Sequence, residues 1–205
     1  MQIKLLKARF ATYSPHMHNY PNLGKLILGS ASPRRSELLA SLGVKFEVRI
    51  PDIDETPVAN EAPRTYAERM AAEKAAAVPA DSDETVIAAD TIVVLDDQIL
   101  GKPRDSDQAF DMLSALSGRT HQVITAVGIR RGKEMNVFSV TTQVIFRILA
   151  EQEIIDYIAS GCPMDKAGAY AIQGGALHMV KAISGSYTNV VGLPLCEVHE
   201  ALISL

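Results

Sequence analysis

The stretch from Leu26 to Leu39 constrains the fold most, because it changes from a strand pattern to a helix pattern within a few residues. The apolar run Leu26–Leu28 predicts a buried strand, and the small residues after it predict a tight turn. Pro33 is typical of the first position of a helix, with Ser32 as its N-cap. The chain therefore contains a strand, a turn and a helix in succession, as α/β folds do.

The same alternation continues along the chain and predicts one mixed α/β domain over residues 24–205. Strands are predicted at Leu26–Leu28, Phe46–Ile50, Val86–Leu95, Gln98–Leu100, Gln122–Ile129, Val137–Ile148, Leu177–Ile183 and Tyr187–Val191. Helices are predicted at Pro33–Leu42, Pro63–Val78, Asp105 to just before Gly118, Glu151–Ser160 and Leu195–Leu205. The glycine-dotted segment Met164–Gly175 indicates a functional loop.

Composition excludes several classes of function. The chain has 205 residues, of which 47% are hydrophobic and 21% charged, as in an ordinary folded domain. A net charge of −4 argues against a general nucleic-acid binder or a membrane-surface protein, and no apolar run is long enough to span a membrane. Cys162 and Cys196 lack the spacing of a disulfide framework or of a metal site, so both are predicted to act as small, apolar-like residues. Such cysteines predict a reducing compartment, the cytoplasm. The five histidines also lack metal-ligand spacing, which favours structural or surface roles.

Residues 1–23 are predicted to be a poorly ordered N-terminal extension. The segment from Met1 to Lys25 has no acidic residue, and Lys4, Lys7 and Arg9 make it basic. A basic, acid-free start is weakly similar to an organellar transit peptide, but it has no apolar core or cleavage site of a secretory signal. The plainer interpretation is an extension upstream of the domain, with Met17 as an alternative start.

Two arginines follow Pro33 in the first turn of the predicted helix, where the helix dipole disfavours cations. The small residues Gly29–Ser32 allow backbone N–H groups to approach a ligand, and the guanidiniums of Arg34 and Arg35 suit phosphate oxygens. The pattern is neither a Walker loop nor a dinucleotide fingerprint. It predicts an anion site, and an ordinary turn with solvated arginines remains the alternative.

Asp90 is the sharpest departure from the predicted pattern, because it interrupts the apolar run Val86–Leu95. A buried carboxylate is costly unless it is paired, metal-bound or used in chemistry, whereas a bend or an exposed edge is the structural alternative. Lys74 falls on the apolar stripe of the second helix, beside Tyr66 and Met70. It either snorkels to solvent or points into a cleft towards phosphate.

Two loops add polar candidates. Pro103 restricts the backbone next to Lys102, which is therefore held in a stiff basic loop. Gln173 carries both donors and an acceptor and suits the edge of a nucleobase, although a hydrogen bond within its own loop is the commoner use. One buried carboxylate, an acidic loop with Glu55 and several cations together indicate chemistry on a polyphosphate with a divalent metal.

From about Leu26 to Leu205, the chain resembles the Maf family of nucleoside triphosphate pyrophosphatases. The matching segments, in order, are Gly29–Arg35, Asp52–Thr56, Ala72–Ala75, Ala89–Thr91, Gly101–Asp105, Leu116–His121, Asp165–Gly174 and Val191–Leu195. The resemblance implies hydrolysis between the α and β phosphates of a nucleoside triphosphate, with Mg²⁺ or Mn²⁺ as cofactor. It also implies an elongated mixed-sheet fold with a central cleft, similar to inosine triphosphate pyrophosphatases.

The resemblance also implies roles for particular residues. Asp90 matches the proton acceptor, and Arg34, Thr91 and Gln173 match positions that select the base. For the metal that the family implies, the carboxylates of Asp90 and Glu55 are the predicted ligands. The expected substrate-binding residues are Ser30, Arg34, Arg35, Lys74, Thr91, Lys102 and Gln173, of which Arg35, Lys74 and Lys102 are expected on the phosphates.

The motifs match the branch of the family that acts on dTTP and UTP. That branch carries the patterns found here at Ser32–Arg35, Ala89–Thr91, Lys102–Asp105 and Asp165–Tyr170. Modified pyrimidine triphosphates are further expected substrates, with a link to cell-division arrest. The alternatives are a 7-methyl-GTP pyrophosphatase and a non-catalytic, nucleotide-sensing regulator of septum formation. The sequence also permits a homodimer.

Overall fold

The computed structural model describes residue 20 and residues 23–205. Its strands are β1 (Lys25–Gly29), β2 (Phe46–Val48), β3 (Glu84–Leu95), β4 (Gln98–Leu100), β5 (Thr120–Arg131), β6 (Glu134–Phe146) and β7 (Val180–Ser184). Its helices are α1 (Pro33–Ser41), α2 (Pro63–Ala77), α3 (Ser106–Leu116), α4 (Glu151–Ala159), α5 (Tyr187–Val191) and α6 (Leu195–Ile203). The predicted mixed α/β class is confirmed.

All the described strands belong to one mixed sheet, in the order β2-β1-β3-β5-β6-β7, with β4 also paired to β3. Strands β2 and β3 lie parallel to β1, whereas β4 and β5 run antiparallel to β3. The long antiparallel strands β3, β5 and β6 form its centre. Strand β3 is therefore bordered on one edge first by β1 and then by β4.

Side chains of β3 alternate between the two faces of the sheet, because successive residues of a strand point in opposite directions. On one face, Ile92 and Val94 pack beneath α2. On the opposite face, Ile87 and Ala89 join a cluster that includes residues of α1 and α6, while Val93 and Leu95 join one that includes residues of α3 and α4. That second face therefore carries two separate apolar clusters.

Local signals explain most element boundaries. The Ser32 side chain caps α1 by accepting a hydrogen bond from the Arg35 backbone N–H, and the Asp105 carboxylate caps α3 by accepting from that of Gln108. Asp96 and Asp97 both have positive φ, as the tight turn between β3 and β4 requires. These boundaries agree with the predicted helix starts and hairpin.

Two strand predictions near the C-terminus are wrong. Tyr187–Val191 forms helix α5 rather than a strand, because Ser186 caps it and the buried Asn189 side chain ties it to the sheet. Its β-branched residues favoured a strand, but these tertiary contacts override that preference. The predicted strand Leu177–Ile183 begins only at Val180, since Leu177–Met179 forms a 3₁₀ turn.

Both cysteines differ from their predicted role as small apolar residues. Cys162 and Cys196 are free and exposed, in the turn after α4 and in the first turn of α6. The predicted extension over residues 1–23 lies largely outside the described residues; of it, Tyr20 and Leu23 are described and are buried. Among the helices of the described chain, none combines the length and apolarity needed to cross a membrane.

Candidate active site

A cleft of about 830 Å³ opens where β1 ends beside β3. Gly29, the last residue of β1, pairs with Ala88, and β4 rejoins the same edge of β3 only at Val93. Within the described residues, Ala89–Ile92 therefore have no strand partner on that edge. Ligands of α/β sheets bind in such crevices beyond the carboxyl ends of strands. Asp90 and Thr91 lie in this gap and point to opposite faces.

The structure places every predicted site residue in the lining of this cleft. These residues are Ser30, Arg34, Arg35, Glu55, Lys74, Asp90, Thr91, Lys102 and Gln173. They come from the loop after β1, the first turn of α1, the acidic loop before α2, from α2 and β3, and from two later loops. The site is therefore assembled across the whole chain, while the individual roles of its residues stay predictions.

Lys74 joins two of the carboxylates that line the cleft. Its ammonium nitrogen lies 2.6 Å from Oδ1 of Asp90 and 2.7 Å from Oε1 of Glu55. The side chains of Lys74 and Asp90 are each only 12% exposed. Lys74 thus points into the cleft instead of snorkelling to solvent, and it supplies the partner that a buried carboxylate needs.

The acidic loop, residues 51–57, is fastened to α2 at Glu55 and at the residue after it. The Tyr66 hydroxyl donates to the Glu55 carbonyl oxygen at 2.9 Å, and the Arg69 guanidinium donates to the carbonyl of Thr56 at 3.2 Å. Burial raises the pKa of Glu55, but its hydrogen bond to Lys74 and the nearby charges outweigh that effect and leave the pKa below its ordinary value. Glu55 is therefore held ionised beside Asp90.

Burial and the charges of Asp90 and Glu55 raise the pKa of Tyr66 to about 12. The phenol consequently stays protonated near neutral pH and remains a donor to the loop. Tyr66 was predicted only as part of the apolar stripe of the helix. Its second role depends on where the acidic loop folds back, which the spacing of residues within the helix does not indicate.

The Arg35 guanidinium is fixed by three different parts of the fold. Its Nε donates to the carbonyl oxygen of Gly192 at 2.9 Å, and its Nη2 donates to Oγ1 of Thr91 at 3.0 Å. Its Nη1 donates to Oγ of the buried Ser30 at 3.3 Å. Burial lowers the pKa of Arg35, an effect opposed by the charge of Asp90. A fixed cation at this position suits an anionic ligand.

Arg34 lies next to Arg35 and is partly exposed in the cleft. Lys102 is exposed in the loop after β4, near enough to help lower the pKa of Glu55. Gln173 is an exposed residue of the glycine-dotted loop Met164–Gly175, which we call the late loop. These three side chains therefore remain accessible to a ligand.

The late loop is joined to the basic loop by backbone contacts. The Gly168 N–H donates to the carbonyl oxygen of Gly101 at 3.0 Å. Gly168 has φ of +64°, and an added Cβ would lie 2.9 Å from the side chain of Val93. Only glycine fits this close approach without strain. The contact holds the loop bearing Gln173 against the one bearing Lys102.

His121 is a buried structural histidine behind the cleft. Its Nε2 is hydrogen-bonded to the hydroxyl of Tyr170 at 2.8 Å, and its ring packs edge-on against Phe146. Its Nδ1 is buried with no hydrogen-bond partner in the described part of the chain. Burial lowers the pKa of His121 to about 4, so the folded protein keeps this imidazole neutral.

This pKa predicts a loss of stability in acid. Below pH 6.5 the unfolded chain binds a proton at His121 that the folded chain does not bind until about pH 4. From pH 7 to 4.5 the free energy of unfolding should therefore fall by about 2–3 kcal/mol through this residue. Urea unfolding at both pH values measures the loss, which should be smaller in His121→Gln. An equal loss in the variant contradicts the prediction.

Two polar residues behind Arg35 were not predicted from the sequence. Thr125 of β5 is buried and pairs with Thr91 across the sheet, and Asn189 of α5 is also buried. Thr125 interrupts a run of apolar residues, as Asp90 does, so the same signal was present there, whereas Asn189 follows the polar residues Ser186 and Thr188 and carries no such signal. Threonine is common in strands, which made the interruption at Thr125 easy to overlook.

Asp90 and Glu55, the carboxylates predicted as metal ligands, lie close together in the cleft, because both contact the ammonium of Lys74. Among the described residues no group of three or more histidine, cysteine or carboxylate side chains is placed to hold a metal. Mg²⁺ is commonly held by one or two carboxylates together with substrate phosphates and water, rather than by a protein cage. The donor set therefore fits a hard divalent ion that shares its ligands with a phosphate chain.

The cleft thus has the features of sites that bind polyphosphates, with clustered cations around a carboxylate pair. The model of the family described as Maf-like protein matches residues 25–205, and the chain belongs to that family.

Two relatives described as dTTP/UTP pyrophosphatase are similar to most of the chain. The one from Geobacter sulfurreducens is 53% identical over 87% of this chain and 95% of its own. The one from Yersinia pestis is 52% identical over 86% and 91%, respectively. A solved structure of the Staphylococcus aureus Ham1 protein has a TM-score of 0.44 and 18% identity, covering 60% of this chain and 71% of its own.

Proposed function

We propose that this protein is a nucleoside triphosphate pyrophosphatase that hydrolyses dTTP and UTP to the monophosphate and pyrophosphate. The observation that carries the proposal is the contact of Lys74 with Asp90 and Glu55 inside a cleft that also holds Arg35. Relatives at 50–53% identity that are described as dTTP/UTP pyrophosphatases support the substrate assignment.

In the proposed mechanism, Asp90 accepts a proton from the attacking water. The carboxylate is buried beside cations, and its second oxygen, Oδ2, is not engaged by Lys74. Arg35, Lys74 and Lys102 stabilise the negative charge that grows on the phosphate oxygens as the bond breaks. Because Arg35 is held by three hydrogen bonds, it needs little rearrangement to do so.

The remaining predicted residues are assigned to the nucleotide. Ser30 holds Arg35 at the turn after β1, and we assign Arg34, Thr91 and Gln173 to the side of the base. The Thr91 hydroxyl also accepts a hydrogen bond from Arg35. The orientation of the Thr91 side chain therefore also affects the phosphate side of the cleft. Modified pyrimidine triphosphates are included among the proposed substrates.

We propose Mg²⁺ or Mn²⁺ as the cofactor, held by Asp90 and Glu55. Such an ion supplies charge stabilisation for the phosphates and lowers the pKa of bound water. Binding of Mn²⁺ in the presence of a non-hydrolysable dUTP analogue, followed by electron paramagnetic resonance, tests these ligands. Glu55→Gln should weaken that binding, whereas the exposed Glu134→Gln should not. Equal binding by both variants contradicts the assignment of Glu55.

The deciding experiment compares dTTP, UTP and 7-methyl-GTP as substrates of the purified chain with added Mg²⁺. Pyrophosphate release from dTTP and UTP, with little from 7-methyl-GTP, is the expected result. Preference for 7-methyl-GTP would assign the chain to the branch of the family that acts on that nucleotide. Binding of nucleotides without any turnover supports a nucleotide-sensing regulator of division instead.

A cytoplasmic location and a homodimer are also proposed. Free, exposed thiols at Cys162 and Cys196 suit a reducing compartment. Exposed apolar side chains, including Ile148 and Leu177, are compatible with self-association. Sedimentation equilibrium measures the mass in solution, and the mass of a single chain contradicts the dimer.

Replacing Lys74 by methionine should abolish most of the activity. The substitution leaves the stem in place but removes the charge that faces the phosphates and joins the two carboxylates. We expect kcat/KM for dTTP to fall about 10²- to 10³-fold, as for loss of one charge-stabilising donor. The control is Lys133→Met, at the exposed turn between β5 and β6. Equal activity in both variants would assign Lys74 a structural role only.

A further inference from the structure

A polar layer separates the two apolar clusters on the face of the sheet that carries α1, α5 and α6. On β3, Thr91 lies between Ala89 of one cluster and Val93 of the other. On β5, Thr125 occupies the corresponding place and pairs with Thr91 across the sheet. Thr125 is fully buried, so its hydroxyl must find its partners within the protein.

The hydroxyl hydrogen bonds of this layer run in one direction. Thr125 donates its only hydroxyl proton to the carbonyl oxygen of Asn189 at 2.9 Å. It can therefore only accept in its 3.0 Å contact with Thr91, and Thr91 is the donor there. Since Thr91 has then used its own proton, its oxygen is left as an acceptor for Nη2 of Arg35.

Helix α5 closes this chain of hydrogen bonds. The Asn189 amide donates to the carbonyl oxygen of Val123 at 3.0 Å and to Oγ1 of Thr142 at 2.9 Å, which fixes α5 to β5 and β6. Just after α5, the carbonyl oxygen of Gly192 accepts from Nε of Arg35 at 2.9 Å. The guanidinium is thus held through Thr91 and Thr125 on one side and by the Gly192 carbonyl, at the end of α5, on the other.

We propose that Thr125 is a positioning residue for Arg35, acting through the hydroxyl of Thr91. It does not line the cleft, so it contacts no substrate. Its oxygen accepts the hydrogen bond that the Thr91 hydroxyl donates, and this orients the lone pairs of Thr91 towards Arg35. Because this role matters only if Arg35 binds phosphate, the inference rests on the proposed function.

The matched pair Thr125→Val and Thr125→Ser isolates the hydroxyl. Valine keeps the branched shape but cannot accept from Thr91, whereas serine keeps the hydroxyl. We expect Thr125→Val to lower kcat/KM for dTTP about 10- to 100-fold, as expected for a small misplacement of a binding group. Thr125→Ser should recover most of the loss.

Thr85→Val is the control for a general loss of a buried hydroxyl. Thr85 is also a fully buried threonine of a central strand, and its hydroxyl also donates to a carbonyl oxygen, that of Leu23, at 2.6 Å. It lies outside the cleft lining. The variant should lose a similar hydrogen bond but keep the wild-type kcat/KM. Equal losses of activity in Thr85→Val and Thr125→Val overturn the proposal.

A double-mutant cycle adds a readout that a merely structural role leaves unchanged. In an Arg35→Ala background, Thr125→Val should have almost no further effect on kcat/KM, because the group it positions is gone. If Thr125→Val lowers activity by the same factor with and without Arg35, then Thr125 acts independently and the proposal is wrong.

Binding of inorganic tripolyphosphate, measured by calorimetry, separates this inference from the proposed reaction. Thr125→Val should bind tripolyphosphate about 10-fold more weakly than the wild type, while Thr125→Ser and Thr85→Val bind as the wild type does. Wild-type binding without hydrolysis of dTTP refutes the reaction but not the positioning role. Absence of binding to the wild type, or equal binding by Thr125→Val, refutes the positioning role.

Discussion

Asp90→Asn should give a folded protein that has lost almost all pyrophosphate release from dTTP. The amide has the same size, and its oxygen can still accept the hydrogen bond that Lys74 donates at 2.6 Å. It cannot take a proton from water, which should cost about 10²- to 10⁴-fold in kcat. Pyrophosphate release measures the loss, and thermal unfolding shows whether the fold is kept.

Asp111→Asn is the matched control for Asp90→Asn. Asp111 is an exposed carboxylate in α3, away from the cleft lining, so its replacement makes the same chemical change without touching the site. This variant should keep the wild-type rate. If Asp90→Asn also turns over dTTP at the rate of Asp111→Asn, then Asp90 is not the proton acceptor.

The sequence predicted most elements because their signals are local. Ser32 and Asp105 act through caps within a few residues, and the turn at Asp96 and Asp97 depends on the backbone of those two residues alone. Helix α5 was mistaken for a strand because its five residues are too few to show a helical period. Its conformation depends on contacts between Asn189 and the distant strands β5 and β6.

The candidate site was predictable where one residue contradicts its surroundings. Asp90 within an apolar strand and Lys74 on an apolar helix stripe both stood out, and the structure brings them into contact. The cleft itself could not be predicted in this way. It exists because β1 and β4 border the same edge of β3 and leave four residues between them, which depends on strand order.

The connection between Arg35 and Thr125 was equally hidden, because it joins residues from four separate elements. Each hydroxyl in it looks ordinary in the sequence. Only the structure shows that Thr91 donates to Thr125 and that Thr125 donates to the carbonyl oxygen of Asn189, which leaves Thr91 as the acceptor for Arg35. Resemblance to the Maf family pointed to Thr91 as a base-selecting position. The structure adds that the Thr91 hydroxyl contacts the guanidinium of Arg35.

Gly128→Ala should destabilise the protein and also impair the active site. Gly128 lies on β5 beneath α2, and an added Cβ would be 2.7 Å from the carbonyl oxygen of Ala71 and 3.2 Å from Cβ of Ala75. Because the nearest atom belongs to the helix backbone, α2 must move away from the sheet. Overpacking of this kind costs about 1–3 kcal/mol, which urea unfolding measures.

The same movement of α2 should also displace Lys74, which lies on this helix between Ala71 and Ala75. Displacing its ammonium from Asp90 should lower kcat/KM about 10- to 100-fold even where the variant is fully folded. Gly101→Ala is the stability control, because an added Cβ there meets no atom within 4 Å and φ is not positive. A Gly128→Ala protein as stable as Gly101→Ala, with wild-type turnover, would show that α2 does not depend on this close approach.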